Sequence, residues 1–266
     1  IVAAETAVQT AGRSATGDTI WVADGTYLGT VSGSSYVTTL NVPTNSNAVI
    51  TVKKATASEH GTETGWDNAY GDGQATITGR ILFSTGYWTL DGTSYTDKDT
   101  GHGIKVVGPV GANTIGIELG AASANIVIQK VEITSPNVPL TYDCVRLATC
   151  TRAGIYMRNG ADNITMDRIY IHDLALPLMI LGNDNVVYKN SFAQRNESTT
   201  TGDPTPVTHS EFASISFNPS TNLNFYNSIF EDMEGTAIIA VMNGADVTGL
   251  NYFNNVAYYT PTASPQ

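Results

Sequence analysis

The sequence predicts an all-β solenoid. Three observations carry that reading: a short pattern that recurs along the chain, a spacing of one structural coil between its copies, and apolar residues that alternate with period two inside each copy. Each copy runs through a few apolar residues, a turn, an Asn or Asp, and then alternating apolar residues again. Copies stand at 154–172, 178–192, 214–230 and 236–253, with a weaker one at 116–133. The register residue falls at Asn125, Asn163, Asn185, Asn222 and Asp246, giving spacings of 38, 22, 37 and 24. A unit in the low twenties, lengthened at one point by a loop, is the mark of stacked coils. The stretches are short and β-branched, so the coils are built of strands and not of helices.

The elements follow in order. Glu5–Gly12 reads as a short amphipathic helix, and Gly17–Tyr27 as the first strand and turn. In the 154–172 unit, Ile164, Met166, Ile169 and Ile171 alternate with Thr165, Asp167, Arg168 and His172, so one face enters a core and the other meets solvent. By the same alternation Ile215, Phe217 and Ile238 are expected in the core. The register Asn suits a turn, because Asn tolerates the left-handed conformation, and equivalent Asn side chains can bond along the axis. The end, Thr260–Gln266, reads as a linker.

On these residues the chain resembles the pectate-lyase-like superfamily of right-handed parallel β-helices. The likeness covers nearly all of the sequence. It implies one right-handed parallel β-helix domain over 1–259, of about seven or eight coils, with residues 1–16 as an N-terminal cap over the apolar cross-section, and 260–266 as a tail. The same fold hosts lyases, hydrolases, tailspikes and adhesins, so it implies no single activity.

Composition bounds the partners. A formal net charge of −11 argues against nucleic acid, which needs a basic footprint. No apolar stretch is long enough to span a membrane as a helix. With no initiator Met and no signal peptide, the chain reads as a mature or excised segment. Cys144 and Cys150 lie close together in one insertion, which permits a local disulfide; two free thiols are the alternative. The disulfide fits an extracellular or cell-surface chain.

Three insertions are expected to build a groove: 54–74, 135–152 and 195–211. The first carries Trp66 and Tyr70, flat side chains suited to stacking on sugar rings. The third brings His209 beside Glu211, an acid/base pair by type. If Ile117, Ile155 and Ile215 point inward, then Glu118, Tyr156 and Ser216 form one outward column, with Arg158 in the next. The expected site is therefore Arg158, His209 and Glu211 as catalytic groups, with Glu118, Tyr156, Trp66 and Tyr70 binding substrate. What the resemblance implies is a uronate lyase, with Arg158 as base and a calcium ion held by Glu211 and Glu234. A glycoside hydrolase is the other enzymatic reading. Two classes of function remain: a secreted protein that binds, or binds and cleaves, a polysaccharide, and a non-catalytic surface or fibre protein that associates end to end or laterally.

Overall fold

The computed structural model describes residues 12–32, 35–42, 47–136, 151–196, 211–233 and 237–260. Three eight-stranded sheets run side by side along one axis. Sheet 1 stacks Asp18–Val22, Ile50–Lys54, Trp88–Asp91, Ile126–Gln129, Ile164–Asp167, Asp184–Lys189, Ser220–Tyr226 and Val247–Phe253. Sheet 2 begins at Gly25–Leu28 and ends at Val256–Tyr258; sheet 3 begins with the hairpin Thr30–Ser32/Ser35–Leu40 and ends at Ile239–Met242. The chain visits sheets 1, 2 and 3 in turn and then starts again one strand spacing further along. Apart from the hairpin, every named strand pairing is parallel. The expected solenoid is the observed one.

Alternation builds the core. In Ile164–Asp167 the burial runs buried, half-buried, buried, half-buried, and its inward Ile164 and Met166 stack on Ile126 and Ile128 below and on Val186 and Tyr188 above. Ile164, Met166, Ile169 and Ile215 are fully buried, as the period requires, and Ile238 packs against the core half-buried. Phe217 is a correction. It is 57 % exposed, with φ at 72°. The strand Ala213–Ser216 stops one residue short of it, and the following Asn218-Pro219 forces a turn, so the alternation does not reach Phe217.

The register Asn residues behave as their chemistry predicts. Asn125, Asn163, Asn185 and Asn222 all take φ between 53° and 60°. Asn222 donates to Asn185 at 2.8 Å and Asn185 donates to Asn163 at 3.0 Å, forming a ladder along the axis. In the last unit the equivalent residue is Gly249, with φ at 76°, and not Asp246. A second ladder, Asn254 to Asn227 to Asn190, marks the corner between sheets 1 and 2. Of the expected N-terminal cap over 1–16, the helix and most of the remainder fall outside the described residues; Gly12–Ser14 are irregular and Ala15–Thr16 form a turn. Arg13 is tied down by four backbone carbonyls, those of Ala48, Tyr87, Val42 and Gly86, with its guanidinium 5.4 Å from the ring centre of Trp88.

Candidate functional site

The outer face of sheet 3 holds the candidate site. Strand Gly111–Leu119 pairs with Thr151–Met157, but the register jumps: Gly111 faces Thr151, and Ile115 already faces Ala153. Two extra residues must bulge outward. Gly111, at φ 136°, supplies the backbone conformation that starts the bulge. The arch is held at its foot. Thr114 Oγ1 donates to the Gly111 carbonyl at 2.7 Å and accepts from the Arg152 N–H at 3.2 Å. Asn113 Oδ1 accepts from the Arg152 guanidinium at 3.0 Å.

On one side of the arch lies a depression of about 210 Å³, lined by Arg152, Tyr156, Arg158 and Met179. On the other lies one of about 150 Å³, lined by Ser32, Val37 and Arg80. Asn113, Thr114 and Ile115 line both, so the arch divides two adjoining depressions on one sheet face, together called the furrow.

Glu118 sits beneath the furrow at 3 % exposure. Its two carboxylate oxygens are taken by different coils: Arg80 Nη1 donates to Oε2 at 2.6 Å, and Arg158 Nε donates to Oε1 at 2.6 Å. The hydrogen bond that Arg158 donates to Glu118 raises the Arg158 pKa above its ordinary value, so the guanidinium is held in its charged form. The side chain is still half exposed, and its charged carbon lies 5.2 Å from the centre of the Tyr156 ring. Three guanidinium groups and one buried carboxylate therefore surround this furrow. Among the described residues these arginines outnumber the carboxylate, with Arg152 holding a further partner as well, in a chain whose net charge is −11.

The register confirms part of the expected column. Glu118 faces Tyr156, which faces Met179, which faces Ser214. Ser214 takes the place expected for Ser216, a slip of two residues. Trp66 and Tyr70 lie elsewhere. Their loop leaves the coil between sheets 1 and 2, after Ile50–Lys54 and before Ala75–Thr78. There Trp66 stacks on His60 at 4.1 Å and meets Tyr70 edge-on at 5.9 Å, so the aromatic set packs its own loop. Glu211 is buried, two residues ahead of Ala213 at the start of the sheet 3 strand. His209, Glu234, Cys144 and Cys150 lie outside the described residues. Among the described residues no group of three or more His, Cys, Asp or Glu side chains is placed to hold a metal ion. Of the expected calcium pair, Glu211 is buried and Glu234 lies outside the described residues.

Sequence reading missed Arg80, Arg152 and the arch. Arg80 stands just before the alternating Ile81-Leu82-Phe83, which was the available signal. The arch has none, because an extra pair of residues preserves the parity of the strand.

A second polar cluster covers sheet 2. His172 is flanked by two carboxylates, Asp173 at 2.6 Å from Nδ1 and Glu132 at 3.2 Å from Nε2. Arg195 grips Asp173 with two hydrogen bonds of 2.9 and 2.7 Å, and Lys105 reaches Glu132 at 2.6 Å. Burial alone raises the Glu132 carboxyl pKa, but His172 and Lys105 outweigh it and bring it down to about 2. Burial likewise raises Asp173, while Arg195 and His172 bring it down to about 2. Every charge here has a partner, as a structural ion network requires.

Among the described residues no helix is long and apolar enough to cross a membrane. Neither the search of curated proteins nor that of solved structures returned a match. The model of the right-handed β-helix region matches residues 91–263, well over half of the sequence and most of the stacked coils, and the chain belongs to that family.

Proposed function

We propose that the chain is an exported carbohydrate-binding β-helix whose sheet 3 furrow takes an acidic polysaccharide. The observation that carries this reading is the clustering of Arg80, Arg152 and Arg158 along one furrow of an acidic protein. A cleft lined by one sign of charge focuses its field and draws the opposite charge, even against the net charge of the molecule. A planar guanidinium matches the two oxygens of a carboxylate or sulfate group. Tyr156 offers a flat face with a polar edge beside Arg158, suited to a sugar ring.

Binding is favoured over cleavage. A lyase base has to accept a proton, and the ion pair with Glu118 holds the Arg158 proton more tightly than an ordinary guanidinium does. In this reading Arg158 neutralises the uronate carboxylate.

The test is a screen of the full chain against polyuronates, sulfated glycans and neutral glycans, with and without calcium. Ultraviolet absorbance of an unsaturated product is followed in parallel. The expected result is salt-sensitive binding to the acidic polymers with no product formed. Accumulating product replaces the binder with a lyase, and failure to bind any acidic glycan sends the chain to the non-catalytic fibre class.

A further inference from the structure

Residues 92–103 join Trp88–Asp91 of sheet 1 to Ile104–Val107 of sheet 2, a corner that Lys130 alone turns one coil later, between Ile126–Gln129 and Val131–Thr134. The surplus forms a strap. Asp97 and Thr100 close a small antiparallel bridge at its tip. From there the strap lies along the outer face of sheet 2. Its Tyr95 ring centre lies 5.9 Å from the charged carbon of Arg168, and Lys98 stands 3.7 Å over the ring of Phe192, three strands further along the sheet than Ile104–Val107. Tyr170 and Phe192 alternate with the core residues Ile171 and Ala193, so they face outward; under the strap they are nevertheless 8 and 0 % exposed. Both feet of the strap have unusual backbone. Thr93 takes φ 65°, a left-handed conformation that strains a β-branched residue. Gly101 has φ 77°, and a Cβ on Gly103 would collide with the Gly92 carbonyl oxygen. Beside the second foot sits His102, 3 % exposed, edge-on to Tyr95 at 5.3 Å and tilted against Tyr170 at 6.0 Å. Neither of its ring nitrogens has a hydrogen-bond partner of ordinary geometry among the described residues.

We infer that the strap is an acid-released lid over the aromatic face of sheet 2, hinged at its glycine and Thr93 feet and latched by His102. As a neutral ring, His102 packs between two tyrosines. As a cation it is a charge almost without solvent, which burial disfavours. Burial lowers its pKa below the ordinary 6.5; Glu132, the Arg168 backbone and Asp99 pull the other way, His172 acts with burial, and burial prevails. The remaining charges around the strap are already engaged. Lys105 pairs with Glu132 at 2.6 Å, Arg168 with Asp167 at 3.2 Å, and Lys98 with Asp99 at 3.3 Å. Asp97 accepts from the Lys98 N–H at 2.7 Å, and Lys130 donates to the Thr93 carbonyl at 3.0 Å. Once the strap lifts, His102 regains solvent and its ordinary pKa, so opening takes up a proton. The closed strap is therefore fully favoured above about 6.5 and loses that preference as pH falls below it. Opening bares Tyr170 and Phe192, whose rings stack in parallel at 5.3 Å.

Hydrogen–deuterium exchange of the full chain at pH 7.5 and pH 5, corrected for the intrinsic pH dependence of exchange, tests this. Glu132 and Asp173, with pKa values of about 2, stay ionised across that range. Protection of residues 93–101 is expected to fall at least threefold, to order of magnitude, at pH 5, while Ile126–Gln129 keeps its protection. His102→Phe keeps a flat ring between the two tyrosines but takes up no proton, and its strap is expected to exchange alike at both pH values. A second measurement does not depend on how that variant folds: nuclear magnetic resonance of the wild-type His102 ring is expected to show it titrating below 6.5. Equal protection of the wild-type strap at the two pH values, loosening that spreads to Ile126–Gln129, acid release that persists in a folded His102→Phe, or a wild-type ring that titrates at or above 6.5 each overturns the inference.

Discussion

Glu118 shows what a single residue does in this molecule. One carboxylate, almost without solvent, holds two arginines from coils on either side, and so fixes the positive furrow in place. Replacing it with Gln leaves two guanidinium groups without their counter-charge. Loss of one partner of a buried pair costs several kcal/mol, and the half-exposed Arg158 moderates that here to about 1–3 kcal/mol. Calorimetry on Glu118→Gln is expected to show melting lowered by roughly 3–10 °C; an unchanged melting point contradicts the bridging role. Glu132 and Asp173 make a pH prediction. Their folded pKa values of about 2 lie below the ordinary 4.5 and 3.8. Groups depressed in this way stabilise the fold above their unfolded pKa and lose that contribution as pH falls through the window from about 4.5 down to 2. Each is worth about 2–3 kcal/mol at neutral pH. Melting temperature is therefore expected to fall steeply across that window. In Asp173→Asn the curve should be flatter and already lower at pH 7; an identical acid profile contradicts the assignment. The pairing of Glu118 with Arg158 was legible in the sequence, since both lie on neighbouring strands of one repeat. The share taken by Arg80 was not, because the N-terminal coils carry no visible copy of the repeat.

At the scale of the strand, period two decides which face a side chain takes but not how far along its neighbour it sits. Asn163, Asn185 and Asn222 gave the turns, and the structure puts all three in the left-handed region. Sheet 3 was read two residues out of place, with Ser216 standing where Ser214 belongs, because an even slip keeps every inward residue inward. Asp246 stands in the sequence pattern where the structure has Gly249, because Gly249 meets the same backbone need without any side chain to mark it. Phe217 exposes the same limit, since alternation continued on paper past the turn that ends the strand. Two substitutions separate the readings. Phe225→Ala empties a fully buried site and is expected to cost about 3–5 kcal/mol. Phe217→Gly relieves a left-handed non-glycine residue and is expected to be neutral or to stabilise by up to ~1 kcal/mol. Comparable destabilisation by both in urea unfolding contradicts the observed register.

Across the whole molecule, the coil dictates where chemistry can sit. Sheets 1 and 2 carry ladders and paired ions that bind one coil to the next, while sheet 3 carries the arch and the furrow. The insertions divide accordingly: the loop bearing Trp66 leaves between sheets 1 and 2, and those expected at 135–152 and 195–211 fall where the chain passes from sheet 2 to sheet 3. Sequence spacing revealed all three insertions, but only stacking assigns each to a corner. The acidic net charge, read from sequence, pointed away from a polyanion. The cluster of Arg80, Arg152 and Arg158 arises from two segments far apart in the chain, Arg80–Phe83 and the strand Thr151–Met157 with the residue after it. The most direct measurement is a calorimetric titration of the full chain with an acidic polysaccharide, repeated with Arg158→Ala. A charge-assisted contact to a carboxylate is worth about 1.5–3 kcal/mol, so the variant is expected to bind at least tenfold more weakly with its melting temperature lowered only modestly. Equal affinity in wild type and variant, or no binding by either, contradicts a glycan site in the sheet 3 furrow.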